Sequence, residues 1–271
     1  MTTQQLYLDL LKKTLSFSLW EDMGYPIEVY NNLRRQPMRL IAATIAKAAA
    51  LGRMEVYRKM TPEMRESGQA WPRHADTMVG MKRLDNIQNC VEDVLRDGVE
   101  GDLIETGVWR GGSCIFMRGI LEAYGDKTRR VFVADSFQGL PPPDAEQYPD
   151  DKGDIHYTFD HLRVSEEQVR NNFRRYGLLD ERVVFLKGWF KDTLPVAPID
   201  KVAVMRLDGD MYESTMDALK ALYPKLSKGG YCIIDDYALE GCKKAVEDYR
   251  RDHGIDAVIH TVDWTGAYWR K

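Results

Sequence analysis

The chain has 271 residues, 44% hydrophobic and 30% charged, enough apolar material for one sizeable α/β core with or without a helical extension. No run approaches the roughly eighteen apolar residues of a membrane span, and a net charge of -4 gives no general attraction for nucleic acid, so neither is an expected partner. The N-terminal MTTQQLYLDLLKK lacks the pattern of a secretion signal, and Cys90, Cys114, Cys232 and Cys242 form no CxxC pair, so buried free thiols in a cytoplasmic protein are expected.

Residues 1–100 carry helical periodicity with few strand signals, and the expectation is a helical cap or lid. Leu6, Leu8, Leu10, Leu11 and Leu15 mark one apolar face, and the Ala-rich stretch from Leu40 to Leu51 marks another. Two aromatic segments with glycine and proline, SLWEDMGYPIEVYNNLRRQP and RESGQAWPRHADTMVGMKR, read as loops that fold over a ligand or as plain connectors. Over residues 101–271 short apolar runs alternate with helical ones, the pattern of βαβ units around a mostly parallel sheet. Strands are predicted at Asp102–Thr106, Arg130–Asp135, Val183–Lys187, Val202–Asp208, Tyr231–Asp236, Ala257–Thr261 and Ala267–Arg270. Helices are predicted at Ser113–Tyr124, Ser165–Tyr176, Tyr212–Leu226 and Leu239–His253, the second opened by Ser165 and Gln168 at capping-box spacing. The irregular stretch from Phe137 to Leu162, with four prolines, has the length at which loops tend to be functional.

Ligands of an open parallel sheet bind beyond the carboxyl ends of its strands, so the residues there belong together. The first strand runs into ETGVWRGGS: Gly107 permits a tight turn, Gly111 and Gly112 open a helix, and Glu105 offers a carboxylate to a ligand amine or hydroxyl. A GxGxxG dinucleotide turn would need glycine where Trp109 stands. Asp135, ending the second strand, is placed to accept hydrogen bonds from both hydroxyls of a ribose. After the third strand, Gly188 frees the backbone, and Trp189 or Phe190 stacks on adenine or packs in the core. An adenosine-type cofactor satisfies all three ends; a turn without any ligand is the structural alternative.

The fourth and fifth strands end in RLDGD and IIDDY, which bring Asp208, Asp210, Asp235 and Asp236 to one sheet edge if the strands are neighbours. Four carboxylates there repel one another unless a cation sits among them. Oxygen-only ligands suit a hard ion, Mg²⁺ rather than zinc. Helix capping is open to Asp210 and Asp236, but it does not explain four aspartates.

The blocks ETGVWRGGS, ADSFQG, GWFKDTLP, RLDGDMYESTMDAL, GGY with IDDY, and CKKAV resemble the TylF/MycF-type macrocin O-methyltransferase family over residues 75–271, and more weakly before that. The resemblance implies a Rossmann-like class I methyltransferase: a seven-stranded, mostly parallel sheet with helices on both faces and an N-terminal helical cap. It implies Mg²⁺-dependent methyl transfer from S-adenosylmethionine to a sugar hydroxyl of a glycosylated natural product. Cofactor contacts would come from Thr77, Met78, Glu105, Thr106, Gly107, Ser113, Asp135, Ser136, Gly188, Trp189, Phe190 and Asp208. Asp208, Asp235 and Asp236 would be the metal ligands and Asp210 the general base, with His156 and His161 of the long loop as rival bases.

The partner would be a small-molecule glycoside, enclosed by the segment around Trp20 to Tyr30, by WPRHADTMVG and by the 137–162 loop. Apolar N-terminal helices also suit a homo-oligomer. Catechol-type methyltransferases share the metal arrangement, but their basic lysine would fall near Met211, which puts a phenolic acceptor second. A nicotinamide-dependent sugar oxidoreductase would not need the aspartates, and a nucleoside-binding scaffold would leave them as caps.

Overall fold

The strands are short apolar runs whose successive side chains point to opposite faces of the sheet, which builds an apolar layer on each face. The computed structural model describes residues 1–20, 24–26, 36–54 and 56–271. Before the main sheet come α1 (Thr3–Leu15), β1 (Gly24–Pro26), α2 (Gln36–Leu51), β2 (Tyr57–Lys59), α3 (Pro62–Glu66) and α4 (Met81–Arg96). There follow β3 (Asp102–Thr106), α5 (Gly112–Ala123), β4 (Val131–Asp135), α6 (Glu166–Arg175), β5 (Val183–Lys187) and α7 (Phe190–Thr193). The chain ends with β6 (Val202–Leu207), α8 (Tyr212–Leu222), β7 (Leu226–Ile234), α9 (Glu240–Asp252), β8 (His260–Thr261) and β9 (Ala267–Arg270).

The seven-stranded sheet has the order β5-β4-β3-β6-β7-β9-β8, parallel from β5 to β7 and antiparallel at β9. Leu103, Val131, Val133 and Ile233 face one layer, with Leu8, Leu11 and Leu15 of α1, Leu84, Ile87 and Val91 of α4, Phe116 of α5 and Phe173 of α6. Ile104, Phe132, Met205 and Ile234 face the other, with Leu219 of α8 and Val246 and Tyr249 of α9. β6 is buried at all six positions, as a central parallel strand must be. α1 and α4, on the N-terminal side of residue 100, thus share a core cluster with the sheet.

Several local expectations need correction. Leu6 and Leu10 are 58% and 51% exposed, because at helical spacing they lie on the side of α1 opposite the buried face of Leu8, Leu11 and Leu15. The N-terminal region contains an antiparallel pair, β1 with β2, that lacks a strong strand pattern. α8 stops at Leu222 and gives way to a 3-10 turn over Tyr223–Lys225, where Pro224 cannot donate to the helix, and β7 starts earlier than predicted, at Leu226. The predicted strand at Ala257–Thr261 shrinks to His260–Thr261, and the short α7 carried no recognised signal. Ser165 caps α6 by accepting from the Gln168 amide at 3.2 Å. Most of the segment from Trp20 to Tyr30 lies outside the described residues. All four cysteines are buried and unpaired, and no described helix is long and apolar enough to cross a membrane.

Candidate active site

The chain leaves β3 toward β4 and β5 and returns on the other side to β6 and β7, so the gap between β3 and β6 is a topological switch point. A cavity of about 520 Å³ opens beyond the carboxyl ends of these strands. Gly107 and Asp208 meet there. Gly107 has φ 77°, and a Cβ on it would lie 1.8 Å from the Asp208 carbonyl oxygen, so only glycine lets the turn after β3 pass the end of β6.

The cavity wall includes Thr77, Met78, Glu105, Gly107, Ser113, Asp135, Ser136, Trp189, Phe190, Asp208, Asp210, Asp235 and Asp236. Two candidates are not brought to it. Thr106 is fully buried, its carbonyl accepting from the Asp208 amide at 2.9 Å, because successive strand residues point to opposite faces. Gly188 (φ 143°) shapes the turn behind Trp189, with its amide donating to the Asp135 carbonyl at 2.9 Å. Asp135 fastens the glycine turn: its Oδ2 accepts from the Val108 amide at 2.8 Å and its Oδ1 from the Phe137 amide at 2.6 Å. Glu105 is 2% exposed, accepts from the Cys114 thiol at 2.9 Å and pairs with Arg206; burial pushes its carboxyl up against the pull of that arginine. Trp109, in the cofactor turn, also lines the cavity and donates Nε1–H to the His161 carbonyl at 2.8 Å. Phe190 lines the cavity and also packs on the β6 and α8 core layer.

Asp208, Asp210 and Asp236 each present a carboxylate oxygen within 4.8 Å of the others. Burial and the surrounding acids push Asp208 and Asp236 well above the ordinary carboxylate range, while burial raises Asp210 to about 6 against the opposing pull of His156. Asp210 sits at φ 57°, in the left-handed region that aspartate tolerates better than most residues. Asp235 lies apart from this trio. Its Oδ2 receives Arg83 Nη1 at 2.5 Å and its Oδ1 meets Arg206. Burial would raise Asp235, and the two guanidinium groups overcome that and hold it below its usual value.

Helix capping does not account for the trio. α8 has Met211 at its N-cap position, and its first amides, Tyr212 and Glu213, donate to Asp151 at 2.6 and 3.0 Å. Asp236 instead accepts from the Asp210 amide at 3.4 Å. Arg206, Arg83 and Asp151 were not singled out from the sequence. An arginine inside the apolar run VAVMRL was a usable signal for Arg206, whereas Arg83 and Asp151 reach the site only through tertiary packing.

Comparison with known proteins fits this geometry. The chain matches the macrocin O-methyltransferase (TylF) family over residues 4–271. It is 50% identical over 268 residues, 98% of this chain and 93% of the relative, to the 8-demethyl-8-(2,3-dimethoxy-alpha-L-rhamnosyl)-tetracenomycin-C 4'-O-methyltransferase of Streptomyces olivaceus. It is 48% identical over 273 residues, 100% of this chain and 98% of the relative, to the mycinamicin III 3''-O-methyltransferase of Micromonospora griseorubida. Among solved structures, the O-methyltransferase NovP superposes with a TM-score of 0.84 at 48% identity, covering 99% of each chain. The seven-stranded sheet is therefore a class I methyltransferase fold, and the chain belongs to the macrocin O-methyltransferase family.

Proposed function

We propose that this O-methyltransferase moves the methyl group of S-adenosylmethionine to a sugar hydroxyl of a glycosylated natural product, with Mg²⁺ in the site. The observation that carries the reading is the trio Asp208, Asp210 and Asp236, gathered in the cavity that the Glu105–Gly107 turn also lines. Carboxylates raised by burial and by one another fit a divalent cation, which offsets both costs. The relatives act on different aglycones and on different hydroxyls, 4' in one and 3'' in the other, which supports a glycoside as the class and leaves the position to experiment.

Asp208 and Asp236 would hold the ion, Asp208 with one oxygen also receiving Arg206 at 2.9 Å; Asp235, the third ligand that the resemblance implies, is held by both Arg83 and Arg206. Mg²⁺ would supply positive charge that acidifies a bound hydroxyl, and S-adenosylmethionine would supply an electrophilic methyl group. Glu105 and Asp135 would orient the amino-acid and ribose ends of the cofactor, and Gly107 allows close approach. Asp210 takes the hydroxyl proton, a role worth about two to four decades in rate. Orientation of donor and acceptor in one cavity provides much of the remainder.

The test is to incubate the enzyme with labelled S-adenosylmethionine, Mg²⁺ and a panel of deoxysugar glycosides and phenols, then locate the methyl group. Turnover of Asp210→Asn is compared with His156→Ala and His161→Ala; near-normal turnover of the first removes Asp210 as base. Calorimetric Mg²⁺ titration of Asp235→Asn beside Asp236→Asn separates the two ligand sets. Strong loss in both supports the set with Asp235, and loss only in Asp236→Asn supports the observed trio.

A further inference from the structure

The long loop after β4 is fastened to the catalytic edge at Asp151, whose two carboxylate oxygens accept from the Tyr212 and Glu213 amides. α8 starts two residues after Asp210, so this cap sets the loop in register with Asp210. Three residues on, the Asp154 amide donates to the Asp151 carbonyl at 3.1 Å. The Asp154 carboxylate then receives the His156 amide at 2.8 Å and His156 Nδ1 at 2.7 Å. Phe159 meets the imidazole edge-on, with ring centroids 5.5 Å apart. The ring is thereby held through its backbone, its Nδ1 and one edge.

His156 Nε2 has no hydrogen-bond partner among the described residues, and His156 lines the same cavity as the three aspartates. The imidazole is not part of the group whose ligand atoms lie within 4.8 Å of one another, so it stands beside the candidate ion site. An imidazole that gives Nδ1–H to a carboxylate offers a lone pair at Nε2 when neutral and an N–H when protonated. A hydroxyl pairs with either form, since it both donates and accepts; a carbonyl or ether oxygen pairs only with the second.

We propose that His156 is a specificity-determining residue whose Nε2 binds one hydroxyl of the acceptor, and that Asp154 is its positioning residue. The assignment rests on the glycoside reading above and adds the side chain that chooses how the sugar lies. The anchor at Asp151 makes the choice rigid, because the sugar contact and Asp210 are referred to the same helix start.

The experiment compares wild type, His156→Ala and Asp154→Asn on a methylated glycoside and on its monodeoxy analogues, with KM for S-adenosylmethionine measured in parallel. Loss of one net hydrogen bond predicts a KM for the glycoside raised about 3- to 10-fold in His156→Ala. KM for S-adenosylmethionine stays within about twofold, since only the acceptor contact is removed. One monodeoxy analogue costs wild type a similar factor, and that cost disappears in His156→Ala, which a merely structural role would not produce. Asp154→Asn shrinks the same cost without removing it, and answers the question if His156→Ala fails to fold. Equal monodeoxy penalties in wild type and variants overturn the assignment. If wild type methylates phenols and no glycoside, the reading beneath fails as well, an outcome told apart by the wild-type data alone.

Discussion

Asp210→Asn should make the enzyme more stable while nearly abolishing its activity. Asp210 is held at about 6 by burial, against an ordinary value of 3.8. Each unit is worth about 1.4 kcal/mol, so its ionisation in the folded state without a cation costs up to about 3 kcal/mol. Asp208 and Asp236 lie within 4.8 Å of it, and because neighbouring acids titrate together about 1–3 kcal/mol is expected to remain. The folded pKa lies above the unfolded one. The neutral carboxyl therefore favours the fold at low pH, and this contribution is lost as pH rises from about 4 through about 6.

The assay is thermal unfolding in chelator at about pH 4.5 and about pH 8, followed by circular dichroism. At the higher pH the asparagine variant should melt above wild type by roughly 2–5 °C, and at the lower pH the advantage should shrink to about a third of that. Saturating Mg²⁺ should raise the melting temperature of wild type more than that of the variant, because the ion offsets a charge that asparagine lacks. Turnover should fall by about two to four decades. A variant that melts at or below wild type in chelator at about pH 8 refutes the picture of a strained, like-charged trio.

Gly107→Ala should destabilise by at least about 2 kcal/mol, from the left-handed backbone and from a Cβ 1.8 Å from the Asp208 carbonyl oxygen, and should weaken S-adenosylhomocysteine binding measured by calorimetry. An unchanged affinity would show that the turn does not bear on the cofactor. Asp151→Ala should cost about 1–2 kcal/mol by removing the cap of α8, and should raise KM for the acceptor while leaving KM for S-adenosylmethionine within about twofold. A parallel rise in both constants would place the effect in general loosening of the sheet edge.

Much of the site was legible because its signals are local. β3, β4, β6 and β7 are each a short apolar run with an acid at or next to its carboxyl end, Glu105, Asp135, Asp208 and Asp235, and a short continuous apolar run bounded by turn signals is the pattern of a strand covered on both faces. The same logic shows why Trp109 cannot be the second glycine of a dinucleotide turn. It did not extend to short elements such as β1, β2 and α7, whose few residues carry too little pattern to compete with a loop.

What only the tertiary structure decided is which charges share which partners. The motifs RLDGD and IIDDY place four aspartates at one sheet edge, but it is the packing that gives Asp235 both Arg83 and Arg206, gives Asp208 a share of Arg206, and gathers Asp208, Asp210 and Asp236 around one point. Arg83 is 152 residues from Asp235 in the chain, and Asp151 lies 61 from the helix amide it caps. The residue types and their order determined the strands, the glycine turn and the acidic edge. The pairing of buried charges depends on distances of a few ångströms between elements packed from both faces of the sheet, and no local pattern encodes those distances.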